Sequence, residues 1–153
     1  MTKAGPNIHA TLLYIEKKGL LLTGPSGAGK SDLALRVLTT HFSNSFCAAP
    51  PELVTDDQVI LRQSQGKLYG RPPEAIKGLL EVRGVGICHF PNREESQIHG
   101  VIALTPNQQP ERLPSTPFAT IEIETICLPT VQLNPFEQSA PQKLVLLAQN
   151  FGK

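Results

Sequence analysis

Charge is scarce in this chain. Asp, Glu, Lys and Arg make up 18% of its 153 residues and balance to a formal +1. That argues against a broad nucleic-acid-binding surface, and 40% hydrophobic content argues against a disordered chain, so any anion binding must be local. Long apolar runs are missing as well. The longest, Leu20 to Leu22 and Leu144 to Ala148, fall far short of the roughly 20 residues that span a bilayer, so no membrane segment is expected. Met1-Thr2-Lys3-Ala4-Gly5-Pro6 carries no apolar secretion signal, which points to a cytoplasmic protein. Cys47, Cys88 and Cys127 are odd in number and form no C-x-x-C pair, which excludes a disulfide framework and a zinc knuckle and leaves reduced thiols. His41, His89 and His99 show no metal-ligand spacing.

What is abundant is punctuation. Fourteen prolines and 12 glycines imply many turns, short elements and few long helices. The length suits one domain over residues 1–153. Ile8 to Ile15 reads as a strand, Glu16 to Gly19 as a hairpin turn, and Leu20 to Thr23 as a buried strand. Leu33, Ala34, Val37 and Leu38 recur at helical spacing from Ser31 to about Thr40. Leu53 to Thr55, Val59 to Arg62 and Leu68-Tyr69 read as strands, Ile76 to Leu80 as a helical turn, and Glu81 to Phe90 as a loop built around Gly84 and Gly86. Val101 to Leu104 and Thr120 to Ile126 are further strands, the latter with an Ile/Glu alternation that places one edge in water. Ser139-Ala140-Pro141-Gln142 resembles a capping box, opening a helix with Leu144, Leu147, Ala148 and Phe151 on one face. The fold class is therefore α/β, a mixed sheet with two main helices.

Gly24-Pro25-Ser26-Gly27-Ala28-Gly29-Lys30-Ser31 satisfies G-x-x-x-x-G-K-[ST] between an expected strand and an expected helix, the context a P-loop requires. Its glycines let backbone N–H groups turn inward around phosphate, Lys30 adds a point charge, and the Ser31 hydroxyl suits Mg²⁺. No N-K-x-D reads guanine and no apolar strand ends in Asp-Glu, which argues against a Ras-like GTPase and a motor ATPase. Leu53-Val54-Thr55-Asp56-Asp57 instead offers two adjacent carboxylates, suited to a shared Mg²⁺ environment in which one faces metal-bound water and the other the acceptor hydroxyl. A solvated turn is the plainer alternative. Glu81, beside Arg83 and the Gly84/Gly86 loop, suits a third position in the metal shell or an exposed ion-pair neighbour. His9 suits a phosphate contact, a proton shuttle or a satisfied edge-strand histidine, and Arg112 a phosphate clamp or a solvated loop residue.

The succession His9-Ala10, Gly24 to Ser31, Leu53-Val54-Thr55-Asp56-Asp57 and Leu80-Glu81-Val82-Arg83-Gly84-Val85-Gly86-Ile87 resembles the catalytic domain of HPr kinase/phosphorylase over about residues 7 to 113. The resemblance implies a P-loop kinase core of the HPr kinase / PEP carboxykinase type, using ATP and Mg²⁺ to phosphorylate a serine of the carrier HPr in the sugar phosphotransferase system. It implies His9 as the active-site histidine, Lys30 as the P-loop lysine, Ser31 and Glu81 as Mg²⁺ ligands, one of Asp56 and Asp57, with Asp57 favoured, as the base, and Arg112 as a late active-site arginine. It also implies a hexamer, and a short proteobacterial form without the N-terminal regulatory domain. The family's basic P-V-K-T-G-R-N loop is replaced by Leu128-Pro129-Thr130-Val131-Gln132-Leu133-Asn134-Pro135, so the phosphorylase direction is not expected. The rivals are a P-loop small-molecule kinase, which would carry an Arg-rich lid, and an ATP-binding sensor module without turnover.

Overall fold

The structure, a computed structural model, describes residues 5–152. It opens with strands β1 (Asn7–Ile8), β2 (Thr11–Ile15) and β3 (Lys18–Thr23). Glu16 and Lys17, both at positive φ (52° and 65°), make the two-residue turn whose twist lets β2 fold back on β3. The strand expected over Ile8 to Ile15 is broken at His9-Ala10, where β1 leaves β2's line to pair with β5 (Val59–Ser64). Between them in sequence come helix α1 (Lys30–Thr39) and β4 (Glu52–Thr55), and after β5 the strands β6 (Lys67–Arg71), β7 (Leu79–Val82), β8 (Gly86–His89), β9 (Ser96–Leu104), β10 (Ala119–Ile123) and β11 (Ile126–Leu133), then helix α2 (Ala140–Asn150).

Among the described residues nine strands form one mixed sheet, in the order β1-β5-β6-β9-β3-β2-β4, with β11 on β9 and β10 on β11. The long β9 is the hub. It runs parallel to β3 on one side, while on the other its start pairs with β6 and its end, Val101 to Leu104, with β11. Both faces of the central strands are buried, which accounts for the unbroken Leu20-Leu21-Leu22 run. Leu20 and Leu22 face α1 and α2 with Leu33, Val37, Leu144 and Phe151. Leu21 faces the other way, into a second core with Leu12, Leu61, Leu68 and Val101. Lys18 donates to the carbonyls of Ala148 and Phe151, supplying partners to the otherwise open C-terminal end of α2.

Four local expectations are corrected. The helical turn over Ile76 to Leu80 is a single 3-10 turn at Glu74–Ile76; Gly78 then takes φ 75° and Leu79 starts β7, because Leu80 is needed in the core. The segment Glu81 to Phe90 is not an irregular loop but the β7–β8 hairpin. The single strand over Thr120 to Ile126 is two, turning at Glu124-Thr125, and Ile121 of the edge strand β10 is 41% exposed. Its continuation β11 accommodates Pro129 just before its pairing with β9 begins, where that side is still an edge. The capping box at α2 does not form: Ser139 sits at φ −85°, ψ 4°, and Pro141 offers no N–H. Lys143 instead pairs with Glu137 at 2.6 Å.

Candidate active site

The sheet register builds the site. β2 is antiparallel to both β3 and β4, with Leu12 opposite Leu21 on one side and Thr55 on the other. The C-terminal ends of β3 and β4 therefore lie together, and the residues that follow them, Gly24 onward and Asp56-Asp57, share one edge. Thr11, the first residue of β2, and His9, two residues before it, lie at that same edge.

The P-loop turns on Gly24, Gly27 and Gly29, all at positive φ, and Gly29 is the left-handed residue before α1. No side chain caps α1, so its first N–H groups remain directed at the loop's interior, the arrangement that receives phosphate oxygens. Lys30 is buried and donates to the carbonyls of Gly24 (2.7 Å) and Pro25 (3.0 Å), folding its ammonium into the loop. Burial lowers its pKa, and the nearby Asp57 and Asp56 carboxylates oppose that.

The two aspartates occupy different environments. Asp56 is buried; Ser31 Oγ donates to its Oδ1 at 2.8 Å and lies 3.0 Å from Oδ2, while Thr11 Oγ1 donates to Oδ1 at 2.9 Å. Burial raises the Asp56 pKa, and these two hydroxyls hold it down in part. The backbone N–H of Glu81 also faces this carboxylate, because Leu80 and Val82 pack β7 onto the helix-side core and bring its edge to Asp56. Asp57 takes φ 70°, an uncommon conformation that aspartate tolerates, and this turns its side chain away from its neighbour. Its Oδ1 lies 2.5 Å from His9 Nε2, with the two side chains 62% and 49% exposed. The pair opens on a shallow depression of about 360 Å³ lined by Asn7, Ile8, His9, Asp57 and Gln58.

His9, Lys30, Ser31, Asp56 and Asp57 are thus brought to one edge, with the backbone of Glu81 beside them. The Glu81 side chain is exposed on the opposite side of β7 from Leu80. Val85 and Ile87, 76% and 70% exposed, stand on the adjoining hairpin. Arg112 is not brought in: it is exposed on the connection between β9 and β10, with no hydrogen bond or ion pair among the described residues. Thr11 joins the site without belonging to any of its sequence motifs, although a threonine between Ala10 and Leu12 in a buried strand is a readable signal. Phe136 and Pro135 join it with no such signal. Their rings lie so near Gly29 that a Cβ there would meet them at 3.2–3.3 Å.

Ser31 Oγ, the Asp56 carboxylate and Glu81 are oxygen donors of the kind Mg²⁺ takes. Among the described residues no three His, Cys, Asp or Glu side chains cluster as a metal cage. A nucleotide-bound Mg²⁺ needs no such cage, since one or two carboxylates with phosphate and water oxygens complete its shell. Ser31 and Asp56 fit that role, whereas only the backbone of Glu81, not its carboxylate, is placed beside them.

The sequence profile of the HPr Serine kinase C-terminal domain matches residues 3–113. The chain belongs to that family. The match spans every candidate site residue from His9 to Arg112 and stops before β10, β11 and α2. The HPr kinase/phosphorylase of Clostridium botulinum is 36% identical over 94 residues, 61% of this chain and 26% of the relative. That of Clostridium perfringens is 35% identical over 102 residues, 67% of this chain and 29% of the relative. The chain thus spans little more than a quarter of the length of these curated relatives. A solved structure of the Hpr(Ser) kinase/phosphatase from Coxiella burnetii superimposes with a TM-score of 0.74 at 27% identity, covering 95% of each chain. The HPr kinase core, a mixed sheet with two helices, is therefore the fold of this family member as well. Among the described residues no helix is long and apolar enough to cross a membrane.

Proposed function

We propose that the chain is a serine protein kinase that transfers the γ-phosphoryl group of ATP to a seryl hydroxyl of HPr, in the cytoplasm and in control of the sugar phosphotransferase system. The observation that carries this reading is the division of labour between adjacent carboxylates: Asp56 is buried on the P-loop serine, and Asp57 is exposed and paired with His9. The names of the Clostridium and Coxiella relatives support the acceptor.

In this reading the P-loop N–H groups and Lys30 bind the phosphate chain, and Lys30 exchanges its bonds to the Gly24 and Pro25 carbonyls for phosphate oxygens. Ser31, Asp56 and Glu81 would hold Mg²⁺, which would supply charge neutralisation to the ATP phosphates. Asp57 accepts the proton of the seryl hydroxyl as that oxygen forms its bond to the γ-phosphorus and the bond to the β-phosphate oxygen breaks. His9 fixes the orientation of Asp57. The His9–Asp57 depression is the opening through which the seryl side chain reaches the base. In-line placement and electrostatic stabilisation supply most of the acceleration, as is general for phosphoryl transfer.

The test is transfer of labelled phosphate from ATP with Mg²⁺ to purified HPr by the wild-type chain and by Asp57→Asn and Asp56→Asn. Transfer by wild type and its loss in both variants is expected. Undiminished transfer by either variant overturns the role of the aspartate it replaces, and ATP binding without transfer by wild type favours a sensor module.

A further inference from the structure

Phe136 is one of the few large apolar side chains left in solvent, 58% exposed, and it stands at the P-loop. Its ring edge rests on Gly29, at the point where α1 begins. Gly29 has φ 95° and no side chain, so the ring approaches the backbone directly.

The ring's position is built rather than incidental. Arg36 donates to the carbonyl of Pro135 and, at 3.4 Å, to that of Glu137, clamping the turn on both sides of Phe136. Asp32 holds the Arg36 guanidinium at 3.1 Å from the helix's first turn. Asn134 Oδ1 accepts the Phe136 backbone N–H at 3.0 Å. These polar contacts fix an aromatic ring in water, where solvation alone would favour a polar residue. One residue further on, Glu137, Gln138, Ser139 and Gln142 line a shallow, open depression of about 600 Å³.

We propose that Phe136 is the platform on which the adenine ring of the bound nucleotide stacks, with the polar depression beyond it receiving the ribose and the base edge. A ring beside the phosphate loop and adjoining a polar hollow can hold a base in a way that Gly29 and the loop, which read only phosphate, cannot. Stacking on an exposed aromatic is indifferent to base orientation but requires a π-face, so Phe136 sets affinity for the nucleoside half of ATP and leaves the phosphate half to Lys30 and the loop. The inference rests on the reading of residues 24–31 as an ATP phosphate site.

The chain contains no tryptophan, so Phe136→Trp introduces a single indole reporter at the ring position. Its fluorescence is expected to change on addition of ATP and to stay constant with tripolyphosphate, which has the phosphates without a base. In calorimetry Phe136→Ala should bind ATP roughly five- to a hundredfold more weakly and tripolyphosphate as well as wild type does. Equal ATP affinity in Phe136→Ala and wild type overturns the proposal. So does parallel loss of ATP and tripolyphosphate, which would make the ring a support for the loop. A wild-type chain that binds neither ligand overturns the phosphate-site reading itself, and the proposal with it.

Discussion

Ser31 Oγ lies 2.8 and 3.0 Å from the two carboxylate oxygens of Asp56, so the last residue of the P-loop motif is tied directly to the residue that follows β4. The hydroxyl that suits a metal ion is already held against the carboxylate that would share it. Ser31→Ala removes the hydroxyl that the proposed Mg²⁺ site would use and leaves Asp56 with Thr11 as its hydroxyl donor. The Mg²⁺-dependent gain in ATP affinity should fall roughly ten- to a hundredfold. Titrating ATP with and without Mg²⁺ checks this; an unchanged Mg²⁺ effect places the metal elsewhere.

The raised pKa of Asp56 has a consequence for stability. A carboxyl that holds its proton more tightly when folded than when unfolded favours the native state at low pH, and that advantage is lost as pH rises through the folded pKa. Above that range the protein carries a buried carboxylate at a net cost. Asp56→Asn keeps an oxygen acceptor for Ser31 and Thr11 without the charge, so it should be more stable than wild type at neutral pH, with the difference shrinking toward acid. Urea midpoints measured between about pH 4 and 7.5 decide the point. A variant less stable than wild type at neutral pH would show that the hydroxyls more than compensate burial.

Gly100 on β9 faces the ring of Phe151. A Cβ there would come within 2.5 Å of Phe151 Cε2 and 2.6 Å of Cδ2. Gly100→Ala should therefore cost about 1–3 kcal/mol by overpacking. Phe151→Leu in the same chain should recover part of it. Strict additivity of the two losses in denaturant unfolding would show that the residues do not share this space.

The Leu128 to Pro135 segment, mostly strand β11, carries no cation. We expect phosphorylated HPr and inorganic phosphate to give no detectable pyrophosphate with this chain. Pyrophosphate formation at a rate near that of the forward reaction would mean that phosphate is bound by cations from outside this segment.

Much of the site is legible in the sequence because its determinants are local. The P-loop spacing, the strand before it and the helix after it are all encoded between Leu20 and Leu38, and the adjacency of Asp56 to Asp57 is in the sequence itself. That Asp56 is buried and Asp57 exposed is not legible, since it depends on the pairing of Leu12 with Thr55 and on the positive φ of Asp57. Thr11 stands out as a threonine in a buried strand, but its partner is hidden for the same reason: only the β2–β4 register carries it to Asp56. The β7–β8 hairpin is obscured by its glycines, and β11 by Pro129, each a strong local breaker overridden by long-range pairing. Phe136 is far from Gly29 along the chain, a separation over which no sequence pattern records contact.

The mechanism stands or falls on Asp57, oriented by His9, taking the proton from the acceptor serine. The decisive quantity is the initial rate of phosphate transfer from ATP to HPr by Asp57→Asn, with ATP affinity measured in parallel. A rate reduced roughly 10²–10⁴-fold, with ATP affinity changed by no more than a few-fold, is expected. Transfer at the wild-type rate would mean that Asp57 is not the base.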